Sequence, residues 1–314
     1  MKDKESLTAK RDRICAVVVT FNRKILLEEC LTALLSQTRP LEEIIVIDNA
    51  SIDGTDALIK ACFPTVTYVR LDENVGGAGG FHEGMKLAFE KGYDWIWVMD
   101  DDAVPMADAL EKLANSPMIH QSNVYALAST VIKQDGSIFL IHRRLFDASK
   151  LEARPIEPEK YKGAYFRMDT ASFVGVLISH KAIEEVGLPL KSFFIYYDDT
   201  EYSLRIRERG IMVTVCDSKV SHPQSCDDSN KSIRRQQPLT WRDYYSLRNQ
   251  IYTYIKYGKI GPNFYLKLFV GNISGLGGIL LFRRSKVRSS KVLICSTLDG
   301  LLGRLGKNRK FVPN

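Results

Sequence analysis

Asp100, Asp101 and Asp102 follow directly on Trp95-Ile96-Trp97-Val98-Met99, an unbroken apolar run that reads as a fully buried β-strand. Adjacent carboxylates at a strand end repel one another unless a cation sits among them. Hard oxygen ligands suit Mg²⁺ or Mn²⁺, and such an ion keeps coordination positions open for phosphate oxygens. A solvated acidic turn is the plain alternative. A second acidic group, Asp198-Asp199-Thr200-Glu201, follows the aromatic-rich stretch Ser192 to Tyr197. Tyr202 to Arg207 has helical spacing, so these acids can simply cap a helix and favour its positive end. Capping explains one or two acids cheaply. It does not explain a doublet placed behind aromatics that can wall a ligand pocket.

The elements that must position these groups alternate between strand and helix. Ile14 to Thr20 is apolar and β-branched, and the helix-patterned stretch Ile25 to Leu35 follows it. Glu43 to Asp48 is a second strand, followed by a short helix, Asp56 to Cys62. Thr65 to Leu71 is a third, followed by a glycine-rich turn and a helix around Phe81 to Lys91. Continuous apolar strands separated by helices predict an α/β fold with an open, doubly wound, mostly parallel sheet covered on both faces.

Ligands of such sheets bind outside the carboxyl ends of the strands. Here those ends are all polar: Thr20-Phe21-Asn22-Arg23, Asp48-Asn49-Ala50-Ser51, Asp72 to Gly77, and Asp100 to Asp102. An acid after the second strand can accept hydrogen bonds from a base or ribose. Glycines after the third let backbone N–H groups approach a phosphate, and carboxylates after the fourth can hold its metal. The combination describes a nucleotide diphosphate site. A dinucleotide site is excluded because no G-x-G-x-x-G follows the first strand, and a Walker A loop is absent.

The motifs VVVTFNR, IDNASIDGT, ENVGGAGGFHEGM, VMDDDAVP and FFIYYDDTEYSLR, in that order between about residues 14 and 250, resemble those of family 2 glycosyltransferases of the GT-A fold. These enzymes transfer a sugar from a nucleotide diphosphate donor with inversion. The segment GGAGGF is similar to that of bacterial galactofuranosyltransferases more than to that of rhamnosyltransferases. The resemblance implies that Thr20, Phe21, Arg23, Asp48 and Asn49 hold the base and ribose, and that Asn74, Gly76, Gly77 and Gly79 lie near the diphosphate and sugar. It places Asp100 and Asp102 on the metal, with Asp101 between them aimed elsewhere among the substrate contacts. Asp199 matches the general base, with Asp198 beside it, and His222 falls where a histidine completes the metal shell.

The chemistry asks for the same parts. Inverting transfer needs a base opposite the leaving diphosphate, and a divalent metal stabilises the charge that develops there. A lone histidine is usually structural, and the spacing of Cys216, His222 and Cys226 matches no common zinc pattern. Neutral imidazole suits Mn²⁺ as a third ligand. His82, in the glycine-rich loop, competes as a substrate contact. Trp241 to Asn249 has helical spacing, and core packing is its default reading. A similar YYxxRN segment in related transferases makes Tyr245, Arg248 and Asn249 candidates for the donor or acceptor pocket.

At 314 residues and 35.6 kDa the chain accommodates one large α/β domain plus an appendage. The expected organisation is a transferase domain over residues 1–250, with a nucleotide half at about 14–132 and an acceptor half at about 166–250, and a basic C-terminal helical region over 251–314. Residues 133–165, with Pro155, Pro158 and several charges, read as an irregular insertion between the halves. The six cysteines lack paired spacing and Met1 to Arg13 is polar, which predicts free thiols, no signal peptide and the cytoplasm.

The net charge of +7 concentrates after Lys231, in Arg234-Arg235, Arg283 to Arg288, Lys291 and Arg304 to Lys310. Nucleic acid is excluded as a partner, because the aromatic interleaving is not that of an RNA-binding surface and the aspartates would repel a phosphate backbone. An anionic membrane surface fits better. Leu266 to Phe282 is apolar but interrupted by Lys267 and Asn272, and falls short of a spanning helix. It reads either as an interfacial segment flanked by basic residues or as a buried helix of a C-terminal subdomain.

The function expected from these features is inverting, metal-dependent transfer of galactofuranose from UDP-galactofuranose. The acceptor is a glycan or polyprenyl-linked glycan, met peripherally at the inner face of the cell membrane during bacterial surface polysaccharide synthesis such as O-antigen. A rhamnosyl or other hexosyl transferase using another nucleotide sugar is the alternative. A non-catalytic sugar-nucleotide binding protein is disfavoured by the two intact acidic clusters.

Overall fold

The computed structural model describes residues 11–223 and 236–312. Strands β1 (Ile14–Thr20), β2 (Glu43–Asp48), β3 (Thr67–Arg70) and β4 (Trp95–Asp100) form the parallel half of a nine-stranded sheet, in the order β3-β2-β1-β4. Every β1 residue is buried, and alternate side chains feed opposite cores. Ile14, Ala16 and Val18 pack with Leu27, Leu31 and Leu34 of α1 (Lys24–Leu35). Cys15, Val17 and Val19 join Phe81, Met85 and Ala88 of α3 (Gly76–Glu90) on the other face; the short α2 (Thr55–Cys62) links β2 to β3.

Beyond β4 the sheet is mixed. β11 (Val176–Ser179) lies antiparallel between β4 and β6 (Val124–Ile132), and β6 pairs in parallel with β12 (Ile211–Ser221). The short strands β5 (Val104–Pro105) and β9 (Tyr165–Met168) pair antiparallel with β12. The segment expected to be irregular is ordered instead: β7 (Arg143–Asp147), β8 (Glu152–Pro155) and β10 (Thr170–Ala171) form a small antiparallel sheet. Its pattern is hidden in the sequence because one of its buried positions is Arg143, whose guanidinium donates to the carbonyls of Ser129 and Val174 at 2.7 Å.

The glycines also correct an expectation. They form no turn ahead of a helix but the first turns of α3 itself. Gly80 and Gly84 lie against β1, where a Cβ would run into Val19 and Val17. Gly76 begins the helix at φ +78°, and a Cβ there would collide with the Phe194 carbonyl. Gly76→Ala is therefore expected to destabilise the fold by roughly 1–3 kcal/mol, the range for a strained backbone position. Thermal unfolding checks this, and an unshifted midpoint would contradict the close approach.

The helices α4 (Ala109–Ala114), α5 (His180–Val186) and α6 (Asp198–Arg207) precede a C-terminal helical layer of α7 (Trp241–Tyr257), α8 (Pro262–Phe282) and α9 (Lys286–Leu301). α7 starts at a capping box between Thr240 and Asp243, and its Tyr244 and Tyr245 pack with Val292 of α9. α8 overturns the buried-helix reading: only 6% of its most apolar stretch is buried, and Leu266, Phe269, Ile273 and Leu281 face outward. It also corrects the length. The helix begins at Pro262, a favoured first helical residue, and its 21 residues are long and apolar enough to cross a membrane.

Candidate functional site

The carboxyl ends of β1, β2 and β4 and the start of α3 open on one cleft of about 570 Å³. Thr20, Phe21, Arg23, Asn49, Asn74, Gly76, Gly77, Asp100 and Asp101 line it. No atom lies within 4 Å of where a Gly77 Cβ would sit, so this backbone borders open space. The rest of the wall comes from Phe194, one of the aromatics read as able to wall a pocket, and from residues that the sequence reading did not assign to it: Ile195 ahead of α6, Thr240, Trp241 and Arg242 at the start of α7, and Arg288 of α9.

Asp100, Asp102 and His222 bring ligand atoms within 4.8 Å of one another. β4 delivers the two acids, and the end of β12 delivers His222, whose Nε2 lies 3.1 Å from Asp102 Oδ1. Burial and the neighbouring Asp102 hold the Asp100 carboxyl well above the usual carboxylate range. Burial pushes Asp102 up as well, but the His222 hydrogen bond and the charges of His222 and Arg23 outweigh it and hold Asp102 low. Two carboxylates and an imidazole, with one acid destabilised by the charge of its neighbour, fit a divalent cation. Asp101 turns the other way: it accepts from Thr20 Oγ1 at 2.7 Å and Arg23 Nη1 at 3.2 Å, and Arg23 also reaches Asp102 at 2.8 Å.

Several expected residues do not reach the cleft. Asp48 is fully buried, its carboxylate accepting from the Ser51 N–H at 2.9 Å and the Tyr68 hydroxyl at 2.5 Å, and it is not among the residues that line the cleft. Gly79 packs against the Val75 side chain. His82 lies on α3 with Nδ1 2.8 Å from the Pro189 carbonyl oxygen and is not among the residues that line the cleft. Tyr245 and Arg248 are completely buried and are likewise not among the residues that line the cleft. Arg248 donates to the carbonyls of Gly306 (2.6 Å) and Phe193 (3.0 Å), and Asn249 Nδ2 to those of Phe193 (3.0 Å), Ile195 (2.9 Å) and Tyr196 (2.9 Å). Together they hold a loop in which Phe194, Tyr196 and Tyr197 adopt φ of 66°, 65° and 65°. Such values are strained for aromatic residues and persist only where surrounding contacts impose them.

That loop delivers the acidic doublet to the first turn of α6. Asp198 is buried, and its carboxyl is raised by burial, by Asp199 and by Asp100. Asp199 is half-buried and accepts from the Thr200 N–H at 2.5 Å and the Thr200 hydroxyl at 3.1 Å. Burial raises it above the usual carboxylate value, while the Arg144 charge pulls it back. Glu201 is fully buried and accepts from Arg205 Nε at 3.0 Å, Lys256 Nζ at 3.0 Å and the Tyr257 hydroxyl at 2.6 Å, which commits it to structure; Asp198 and Asp199, like Asp102 and His222, are not among the residues that line the cleft.

Arg144 and His142 are the additions that no sequence signal marks, since both sit in the segment read as irregular. The His142 ring centroid is 5.1 Å from that of His222, and burial holds its pKa down at about 2, so it packs there as a neutral ring. Cys226, the last member of the candidate zinc spacing, lies outside the described residues, as do Lys231, Arg234 and Arg235.

The sequence model described as glycosyl transferase family 2 matches residues 15–187, more than half of the chain. The chain belongs to this family. Among relatives of this family 2 glycosyltransferase, galactofuranosyltransferase GlfT1 of Mycolicibacterium smegmatis is 29% identical over 219 residues, covering 68% of the chain and 72% of the relative. The dTDP-rhamnosyl transferase RfbF of Shigella flexneri is 25% identical over 315 residues, covering 94% and 98%. GalNAc-T7, solved with UDP, GalNAc and Mn²⁺, has a TM-score of 0.60 at 15% identity, over 94% of this chain and 56% of that one. The mannosyltransferase PcManGT from Pyrobaculum calidifontis, solved with GDP-Man and Mn²⁺, has a TM-score of 0.53 at 17% identity, over 94% and 76%. These likenesses establish the GT-A fold of the family 2 transferase. The family match ends before α6, so the acidic doublet, His222 and the C-terminal helices lie beyond it.

Proposed function

We propose that this family 2 transferase moves galactofuranose from UDP-galactofuranose, with inversion, onto a lipid-linked glycan acceptor. The observation that carries the reaction type is the pairing of a metal-type donor set, Asp100, Asp102 and His222, with a separate half-buried carboxylate, Asp199. Thr20, Phe21 and Asn49 border the space for the nucleoside, and the Gly76-Gly77 backbone borders the space for the diphosphate. Asp100, Asp102 and His222 would hold a divalent metal, which when bound would neutralise charge on the leaving diphosphate. Arg23 keeps Asp101 and Asp102 apart in orientation by bonding both. Asp199 takes the proton of the attacking acceptor hydroxyl, for which a carboxyl raised toward neutrality is better matched than an ordinary one.

The relatives named as galactofuranosyltransferases support the sugar, and the solved neighbours holding UDP or a GDP-sugar with Mn²⁺ support a nucleotide-sugar donor and that metal. The near full-length match to a dTDP-rhamnosyl transferase favours a second reading, rhamnose from dTDP-rhamnose. Nucleotide release with UDP-galactofuranose, dTDP-rhamnose and UDP-glucose decides between them. Fastest release from UDP-galactofuranose is expected; faster release from dTDP-rhamnose would install the second reading.

The outward apolar face of α8, followed by Arg284, Lys286 and Lys291, supports an acceptor met at an anionic membrane surface on the cytoplasmic side. The purified chain is expected to bind vesicles containing anionic lipid, less tightly as salt rises, and replacement of these three cations by glutamine is expected to weaken binding. Arg283 and Arg288 are left intact because Arg283 donates to the Gln237 carbonyl and Arg288 lines the cleft. No vesicle binding at low salt would remove the membrane reading.

A further inference from the structure

We propose that Arg242 and Arg288 form a diphosphate-binding wall of the cleft, supplied by the C-terminal helices. The proposal rests on the nucleotide-sugar reading above and assigns residues that lie beyond the family match. Arg242 is the second residue of α7 and Arg288 belongs to the first turn of α9, yet both line the cleft that also contains Asn74, Gly77 and Asp100. Both are exposed, and among the described residues neither side chain has an ion pair or a hydrogen bond. Arg242 stacks its guanidinium over the Trp241 ring at 5.1 Å, which leaves its N–H edge available. The other cleft arginine, Arg23, is already committed to Asp101 and Asp102.

The charge balance shows why such a pair is needed. Arg23 pairs with Asp101 and Asp102, and one divalent ion, when bound, would offset the remaining charge of the aspartates at the end of β4. A diphosphate ester then brings about two further negative charges, which this balance leaves uncovered in a partly desolvated cleft. Two guanidiniums match that charge, and their planar N–H forks suit phosphate oxygens in bidentate pairs. The two are also fixed relative to each other. The Leu239 N–H donates to Ser289 Oγ at 3.0 Å, the Arg284 N–H donates to the Gln236 carbonyl at 3.2 Å, and the Thr240 capping box sets the turn that carries Arg242. The C-terminal helices thereby complete the site rather than only approach a membrane. The diphosphate is either that of the nucleotide donor or that of a diphosphate-linked lipid acceptor.

Isothermal calorimetry of the full chain with Mn²⁺ and, in turn, UDP, UMP and farnesyl diphosphate tests the wall. In R242Q/R288Q the affinity for a diphosphate is expected to fall by roughly 10–100-fold, the range for lost charge-assisted hydrogen bonds, while UMP affinity changes by less than about 3-fold. R242K/R288K, which keeps the charge but loses the fork, is expected to lie between the two. Retained UMP binding shows that the variant is folded. A loss with UDP alone assigns the wall to the donor, and a loss with farnesyl diphosphate alone assigns it to the acceptor. Unchanged affinity for both, or equal losses for UDP and UMP, overturns the proposal. A wild-type chain that binds none of the three overturns the nucleotide-sugar reading as well.

Discussion

Asp102→Ala is expected to abolish measurable transfer and to remove the Mn²⁺-dependent part of UDP affinity. Asp102 is the member of the cluster that touches both neighbours, His222 Nε2 at 3.1 Å and Arg23 Nη1 at 2.8 Å. Its loss leaves Asp100 and His222 as an incomplete ligand set, and the several kcal/mol of charge stabilisation that a metal gives a leaving group corresponds to a rate loss on the order of 10³-fold or more. The fold is expected to survive, because Asp102 lies two residues beyond the end of β4 and Arg23 keeps its contact with Asp101. Thermal unfolding separates the two effects. Calorimetry that shows unchanged Mn²⁺-dependent UDP binding in a folded Asp102→Ala protein would sink the assignment of the metal.

The parallel half of the sheet is legible because its strands are buried on both faces. Continuous apolar runs such as Ile14 to Thr20 and Trp95 to Met99 have no other economical reading, and the helices between them follow from the crossover that parallel pairing requires. Legibility fails where a polar side chain occupies a buried position. Arg143 is fully buried because backbone carbonyls satisfy its guanidinium, and a pattern that scores arginine as surface cannot find β7. The glycines mislead for a related reason: at Gly80 and Gly84 the missing side chain serves contact between α3 and β1, not turn formation.

Within the site, what was legible is the set of groups at strand ends, since β1 and β4 must deliver Thr20 and Asp100 to the same edge of the sheet once they pair. Register cannot tell which way a side chain turns. Asp48 ends β2 as expected and then bends back onto Ser51 and Tyr68, and the helical spacing around Arg248 does not distinguish a ligand contact from a clamp on backbone carbonyls. The wall formed by Trp241, Arg242 and Arg288 depends on how α7 and α9 pack, which is a tertiary fact with no local pattern.

The remaining large effect is expected at Asp199. Asp199→Asn keeps size and most hydrogen bonding but cannot accept a proton, so donor binding should stay normal while transfer falls by roughly 10²–10⁴-fold. Asp198→Asn serves as the contrast: Asp198 is more deeply buried and interacts electrostatically with Asp100, so its loss should register in metal-dependent donor affinity. Because burial raises Asp199, the acid limb of kcat/KM should lie above the ordinary carboxylate range. The base acts ionised, so activity is full above that pKa and falls as the pH drops through it. Arg144 pulls Asp199 down, and Arg144→Gln should therefore move the limb to higher pH and lower the rate most on its acid side. A limb that stays in place would detach Arg144 from this titration. Near-normal transfer by Asp199→Asn would pass the role to Asp198, since Glu201 is already bonded to Arg205, Lys256 and Tyr257.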